Sequence, residues 1–319
     1  MYSNGNDILT LNRFFNMLLT EEIAKSKIKS AIESLAGNLP LDSESTKNII
    51  ARAKGLPEKI EILNSTYRLM PLAEKAILEE AKRGQSHYSC ACWWARSLVE
   101  ARGRMKRKWW SPEGGLYLCI SLFPQLLREN RNLYSISAGL SACQTLHHLG
   151  FDSEIRWVND VLISGKKVCG ILMQSVFAQQ TGEEYILIGI GMNINNSSFP
   201  RDIRKISTSL HLESGKKWPI WQIGTDLIAR TILNVCILHE WEGQCLRNGL
   251  AFDAKTNPII SLYETLSKLN GRRVVFGRDL EKEKGTPCVS RGITYSGALI
   301  LESLGEIFTV DSGEIRFQD

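Results

Sequence analysis

RWVNDVLISGKKVCGILMQS, residues 156–175, decides how the chain is built. Two apolar runs, RWVNDVLI and KKVCGILM, read as strands joined by a Ser-Gly turn that closes a hairpin. The pairing brings Asn159 and Asp160 towards Lys167. A lysine at a strand end is commonly a surface residue, and Asp160 also fits a turn. Gly170, inside the second strand, is costly unless a ligand or a backbone approaches closely, which tilts the reading towards a site.

The neighbouring segments extend this hairpin into a sheet. YILIGIGMNI, 185–194, is a further strand, and IGIGMNINN, 188–196, interrupts it with two glycines. Asn193 and Asn195 alternate there with apolar residues. Close approach of a ligand and a bulge or tight turn at the sheet's end explain the pattern equally well. Upstream, IEIL (60–63), YSCACWWA (88–95) and LYLCISLFP (116–124) read as strands. PLAEKAILEEAKR (71–83) and NLYSISAGLSACQTLHHLG (132–150) read as helices, the second with a Gly stop, and another helix runs from Ile220 to Trp241. Strands and helices mixed in this way give an α/β (α+β) domain over 59–266, a mixed sheet flanked by helices.

The ends differ in character. Over 1–58, apolar residues recur at helical spacing from Ile8 to Leu35, a loop AGNLPLDSEST follows, and TKNIIARAK forms a second helix. This segment holds seven basic and seven acidic residues, so it lacks the positive charge of a DNA-binding head, and a packing or regulatory role fits it better. Over 267–319, RRVVFGR, TPCVSRGITY, GALILES, EIFTV and EIRF are short strands with Gly turns, which suggests a small C-terminal β-barrel or sandwich. No chemistry is assigned to it from the sequence.

The chain has 319 residues with 43% hydrophobic and 23% charged, an ordinary balance for a globular protein with a sizeable core. The formal net charge of +5 is mild and does not by itself imply nucleic acid. The positive charge is clumped in ARGRMKRKWWSP, 101–112, where five of the seven residues from Arg102 to Lys108 are cationic. Trp109 and Trp110 follow at once. Cations beside aromatics suit a phosphate joined to a planar base, although a solvated basic loop and a nucleic-acid contact also fit. The eight cysteines fall mostly in apolar runs without metal-site spacing, which favours buried, reduced thiols in a cytoplasmic protein. No apolar run reaches the ~20 residues of a membrane span. The chain lacks GxxxxGK[ST], His239-Glu240 lacks the second histidine of a zinc-protease motif, and no serine nucleophile elbow is present.

Taken together, NST at 64–66, ARGRMKRKWWSPEGGLYL at 101–118, RWVNDVLISGKKVCGIL at 156–172, IGIGMNINN at 188–196 and TSL at 208–210 resemble the biotin protein ligase family. That family shares its catalytic fold with lipoate protein ligases. The resemblance runs from about Ile60 to the C-terminus and includes GRRVVFGRDLEKEKGTPCVSRGITYSGALIL, which is similar to the family's terminal barrel and favours biotin over lipoate. It implies an ATP-dependent ligase that activates biotin as biotinyl-5′-adenylate and transfers it to a lysine of a biotin carboxyl-carrier domain. It also implies Mg²⁺ on the phosphates, no structural metal, and a possible homodimer. Arg102, Gly103 and Arg104 match the adenylate loop, Arg104 holding the reacting group. Lys167 then bridges carboxyl and phosphoryl oxygens. Ser65 and Thr66 bind the biotin head, and Trp109 covers the adenine or the loop's inner face. Asn159 and Asp160 form a polar pair at the reacting centre, where Asp160 orients or deprotonates the incoming lysine. Gly170 and Asn193 complete the site, Asn193 near phosphate or metal.

The chain departs from the family pattern on the ligand side. Leu98 stands for a usual glutamine, Tyr67 for an asparagine, Arg156 for a lysine, and Ala101 and Lys106 for glycines. Glu100 adds a negative charge near a bound anion. These changes keep three alternatives open: a lipoate or octanoate ligase or transferase, a catalytically silent biotin sensor, and, more weakly, a DNA-binding repressor. A highly charged loop also costs entropy to order, so residues 101–108 are expected to become fixed only when ligand binds.

Overall fold

The computed structural model describes residues 20–37 and 42–318. Helix α1 (Glu21–Ala36) starts where Thr20 accepts a hydrogen bond from the Ile23 amide, and it buries Ala24, Ile28, Ile32 and Ala36, one residue per turn. The expected helix from Ile8 begins outside the described residues. Asp42 caps α2 (Ser43–Ala53) through the amides of Glu44 and Ser45. Both helices pack against the long helix α6 (Ile220–Asn248). Polar contacts fix the docking: Asn48 donates to the buried Glu240, Arg52 pairs with it, and Gln244 donates to Ser45.

A seven-stranded sheet forms the middle of the protein. Its strands are β1 (Lys59–Thr66), β2 (Cys90–Leu98), β3 (Leu116–Leu122), β4 (Ser153–Arg156), β5 (Asp160–Ile163), β6 (Lys166–Ala178) and β7 (Glu183–Met192), in the order β1-β2-β3-β7-β6-β5-β4. Only β1 and β2 pair in parallel, and helix α3 (Leu69–Lys82) makes the crossover that a parallel pair requires. Strand alternation splits the core. Ala91, Trp93 and Ala95 of β2 face α3, with Ala73, Ile77 and Ala81. Cys90, Cys92 and Trp94 face the layer built by α4 (Leu133–His148) and α6. That alternation explains why the cysteines sit in apolar runs: all eight are buried and unpaired. No described helix is long and apolar enough to cross a membrane.

The run RWVNDVLI is not one strand. Residues 157–159 turn, and β4 and β5 pair antiparallel with Arg156 opposite Asp160. Two interactions draw the chain round: the Trp157 indole donates to the Gly297 carbonyl, and Asn159 exchanges bonds with Ile171, amide to carbonyl and side chain to carbonyl. Alternation alone cannot signal such a turn, because its residues are themselves apolar or strand-compatible. The β5–β6 hairpin is as expected, closed by Ser164 and Gly165, both with positive φ (50° and 72°).

After α5 (Leu210–Ser214) and α6, α7 (Pro258–Ser267) leads to the terminal sheet. The sequence reading assigned neither α5 nor α7. The signal for α7 was present: Asn257 caps its first amides and proline occupies the first turn. Strands β8 (Arg273–Gly277), β9 (Thr286–Ile293), β10 (Leu299–Ser303), β11 (Glu306–Val310) and β12 (Glu314–Phe317) form one antiparallel sheet ordered β11-β10-β9-β8-β12. The expected barrel is therefore a five-stranded antiparallel sheet with β11 and β12 at its edges.

Candidate active site

A cleft of about 1040 Å³ opens over the β6–β7 part of the central sheet, the volume of a site for a mid-sized organic ligand. Its floor is glycine. Gly170 of β6 lies opposite Gly191 of β7, and Gly189 sits one step along the same face. A Cβ on Gly191 would lie 2.7 Å from Trp109 Nε1, one on Gly170 3.3 Å from the Trp109 ring, and one on Gly189 2.8 Å from Met70 Sδ. The interrupted strands do mark close approach, and the groups that approach are the Trp109 ring and the Met70 thioether. Of the structural alternatives for 188–196, no bulge occurs over Glu183–Met192, where β7 keeps its register with β6, and the chain bends at Ile194 and Asn195 where the strand has ended.

Beside this floor lies a charged cluster. Lys167 Nζ is 2.5 Å from Asp160 Oδ1, and Arg156 Nη2 donates to Asp160 Oδ2 at 2.5 Å. The Lys167 ammonium stands 5.3 Å from the centre of the Trp109 ring. The tight hairpin and a register shift between Val161 and Leu162 bring these groups together. Burial pushes the Asp160 carboxyl up, but Lys167 and Arg156 outweigh it and hold the carboxyl below its ordinary value. Asp160 is thus a persistent carboxylate and a weak base, suited to orienting Lys167.

The cationic loop folds back on itself through Gly103 N–H to Arg107 O (2.9 Å) and Trp109 N–H to Ala101 O (3.0 Å). Met105 and Lys106 adopt φ of 53° and 60°, so the lysine that replaces a family glycine sits in the left-handed region. Glu100 does not face the cleft with a bare charge. The Tyr67 hydroxyl first, then Arg102, lower its pKa, and Arg102 Nη2 donates to it at 2.6 Å. Arg104 Nη1 donates to Asn159 Oδ1 (3.3 Å) and to the Gly313 carbonyl (2.9 Å). Arg107 grips both oxygens of Glu314 and pairs with Asp279 and Glu281.

The cleft brings together Arg102, Gly103, Arg104, Trp109, Asn159, Asp160, Lys167, Gly170 and Asn193. Asn193 is buried. Its Nδ2 donates to the Thr208 carbonyl at 3.0 Å, and its Oδ1 has no partner among the described residues. Ser65 and Thr66 do not line the cleft. They lie at the end of the edge strand β1, where Ser65 bonds Ser97 at 3.1 Å, and the chain after β2 runs alongside them through Val99 N–H to Thr66 O. Leu98 forms the wall on that side.

Three contributions were missing from the sequence reading. Arg68 and Met70 enter from the start of α3. The turn 199–207 forms a wall annealed to β6 by Lys167 N–H to Ile206 O (2.8 Å) and Thr208 N–H to Lys167 O (3.0 Å). The terminal sheet supplies Gly313, Glu314 and Arg316. The TSL match at 208–210 hinted at the second; nothing local hinted at the third. Among the described residues no cluster of three His, Cys, Asp or Glu side chains could hold a metal ion. Of the carboxylates that line the cleft, Asp160, Glu281 and Glu314 are paired with cations, and Asp202 lies on the turn at its rim. With Arg68, Arg102, Arg104, Arg156, Lys167 and Arg316 around one cavity, the cleft is built for an anionic, phosphate-bearing ligand.

Comparisons with known proteins agree with this geometry. The Biotin/lipoate A/B protein ligase family model matches residues 75–193. The Bifunctional ligase/repressor BirA of Bacillus spizizenii is 37% identical over 127 residues, which span 39% of this chain and only 39% of that relative's length. The Biotin--[acetyl-CoA-carboxylase] ligase of Paracoccus denitrificans is 34% identical over 233 residues, 70% of this chain and 88% of that protein. The solved biotin protein ligase from Aquifex aeolicus, in complex with biotin and ATP, has a TM-score of 0.62 at 22% identity and covers 82% of this chain and 99% of that one. At that identity the last likeness speaks for the fold alone.

Proposed function

This chain belongs to the biotin protein ligase family, and from that premise we propose that it activates biotin with ATP as biotinyl-5′-adenylate and passes the acyl group to a lysine of a biotin carboxyl-carrier domain. In the first step a biotin carboxylate oxygen attacks the α-phosphate and pyrophosphate leaves. In the second the lysine amine attacks the acyl carbonyl and AMP leaves. The observation that carries the proposal is the Lys167–Asp160–Arg156 cluster beside a glycine floor, under a loop rich in arginine.

The first step must bring two anions together. At ~4 Å and an effective dielectric near 20 that costs about 4 kcal/mol. Lys167, held by Asp160 at 2.5 Å, is fixed where it can offset this repulsion without reorganising. Arg104 lies across the Asn159 turn and meets the same oxygens from the loop side. Asn193 presents an unpartnered buried oxygen for a ligand donor. Asp160, kept ionised by its two cations, serves as a positioning group. Of its two expected roles, orienting fits this environment and proton acceptance does not. Ser65 and Thr66 contact biotin only if the β1 end and the 98–101 segment move.

The acyl-adenylate needs protection from water, and the loop over Trp109 supports that role. The division into 1–58, 59–266 and 267–319 is part of this reading: α7 ends at Ser267 and the terminal strands begin at Arg273. The docking of α1 and α2 on α6 supports a bracing role for the first segment. The test is transfer of acid to a carrier domain, with biotin and lipoate in parallel. Transfer of biotin supports the proposal, transfer of lipoate alone makes the protein a lipoate ligase, and binding of biotin without turnover makes it a sensor.

A further inference from the structure

The turn 201–206 carries Arg201, Asp202, Arg204 and Lys205, all exposed, beside Ile206, which is 63% exposed. Ile203 and Ile206 line the cleft, while Arg201, Arg204 and Lys205 do not. None of these three cations has an ion-pair or side-chain hydrogen-bond partner among the described residues. The ridge is nevertheless well anchored. Arg204 N–H bonds Pro200 O at 2.9 Å, Ile206 N–H bonds Ile203 O at 3.0 Å, and Ile206 O receives the Lys167 amide at 2.8 Å. A fixed ridge of unpaired cations around an exposed isoleucine therefore stands one strand spacing from the residue at the reacting centre. Exposed Lys166 on one side, and exposed Lys106 and Lys108 on the loop, extend the same sign of charge around the rim.

We propose that residues 201–206 are the docking surface for the protein that receives the acyl group, and that this protein meets the ridge with a carboxylate-bearing face. The inference rests on the transfer reaction proposed above. Transfer requires a lysine amine to reach the acyl carbonyl beside Lys167, so the acceptor must sit on the cleft's rim. Three cations against one carboxylate select an acidic partner. Ile206 at their centre gives that partner an apolar contact, as protein interfaces have at their cores and a phosphodiester backbone does not need. Long-range attraction would draw the acceptor towards the rim, and unpaired rim cations lose nothing internal when they engage it.

The test uses the full chain and the double variant Arg204→Glu, Lys205→Glu, with Arg204→Gln, Lys205→Gln as a milder form. The probe is a recombinant biotin carboxyl-carrier domain of net negative charge. Three quantities are read: biotin-dependent ATP–pyrophosphate exchange, the KM for the carrier in transfer, and direct carrier binding at about 50 and about 300 mM salt. The expected result is exchange within about twofold of the parent, a carrier KM raised about tenfold with kcat kept, and loss of the parent's salt dependence in binding. The Gln pair should fall between. An unchanged carrier KM overturns the proposal. So does a parallel fall in exchange and transfer, which would put the ridge in the nucleotide site, or duplex DNA that competes with the carrier and loses binding in the variant. If the parent shows no exchange, the proposed reaction fails and the binding arm still decides: carrier bound by the parent and released by the variant upholds the docking surface, while equal binding by both, or none by the parent, overturns it.

Discussion

Arg107 in the cationic loop grips both carboxylate oxygens of Glu314, the first residue of the last strand. With Asp279 and Glu281 on the same guanidinium, the terminal segment holds the loop over the cleft. The Glu314 hydrogen bond heads the causes that raise the Arg107 pKa further, so the guanidinium keeps its charge. The loop's partners lie 172 and 207 residues away in sequence.

The clamp predicts a measurable coupling. The pair is partly exposed, so a double-mutant cycle of Arg107→Ala and Glu314→Ala should give about 1 kcal/mol, not the larger value of a buried pair. Either single variant should speed protease cleavage within 101–108 and raise the release of free adenylate into solution. Equal cleavage of parent and variants in the absence of ligand would mean that the loop is not held by this pair.

Gly191 should tolerate no side chain. Its Cβ would stand 2.7 Å from Trp109 Nε1, so Gly191→Ala must displace the indole. A loss of about 1–3 kcal/mol in stability is expected, with a shift in tryptophan emission. In a Trp109→Ala background the same change should cost much less, because the clash is gone. Additive losses in the double variant would show that the ring does not lie on this glycine.

Lys106 carries backbone strain that can be relieved. At φ of 60° a non-glycine residue pays about 1–2 kcal/mol, partly offset by its lower entropy when unfolded. Lys106→Gly should leave stability unchanged or raise it by up to about 1 kcal/mol in urea denaturation. Lys106→Val, with a β-branched side chain, should lower it by about 1 kcal/mol.

His239 should make the fold acid-sensitive. Burial, then Arg52, pushes its pKa down from 6.5 to about 3, while its Nε2 faces the Tyr134 hydroxyl at 2.9 Å. Between those pH values the unfolded chain binds a proton there that the folded chain does not, so stability falls as pH falls through the window. The slope is at most ~1.4 kcal/mol per pH unit. Urea midpoints at pH 7 and pH 5 should converge in His239→Gln relative to the parent. An undiminished gap would place the acid sensitivity elsewhere.

Much of the fold was legible because period-2 and period-3.6 patterns are local. The strands of the central sheet, the helix over 133–148 and the five terminal strands were readable from alternation, caps and Gly turns. The β4–β5 break was not, since Trp157 and Val158 look like strand residues and their turn is fixed by Ile171 on the neighbouring strand and by Gly297, 140 residues away in sequence. In the site, the approach of Asp160 to Lys167 followed from the hairpin. The roles of Glu314, Asp279 and the turn 199–207 depend on tertiary docking between segments that carry no sequence signal of one another. Glu100 looked like a misplaced charge only until Tyr67, itself a departure from the family pattern, was seen to pair with it.

The most direct measurement of the central claim is pyrophosphate release from Mg-ATP and biotin by the parent and by Lys167→Ala, with biotin binding followed alongside. The account predicts release by the parent and a loss of about 100-fold or more in the variant, the scale on which removing one preorganised charge-stabilising group slows a reaction. Release at the parent rate by Lys167→Ala, or none from a folded parent that binds biotin, would contradict it.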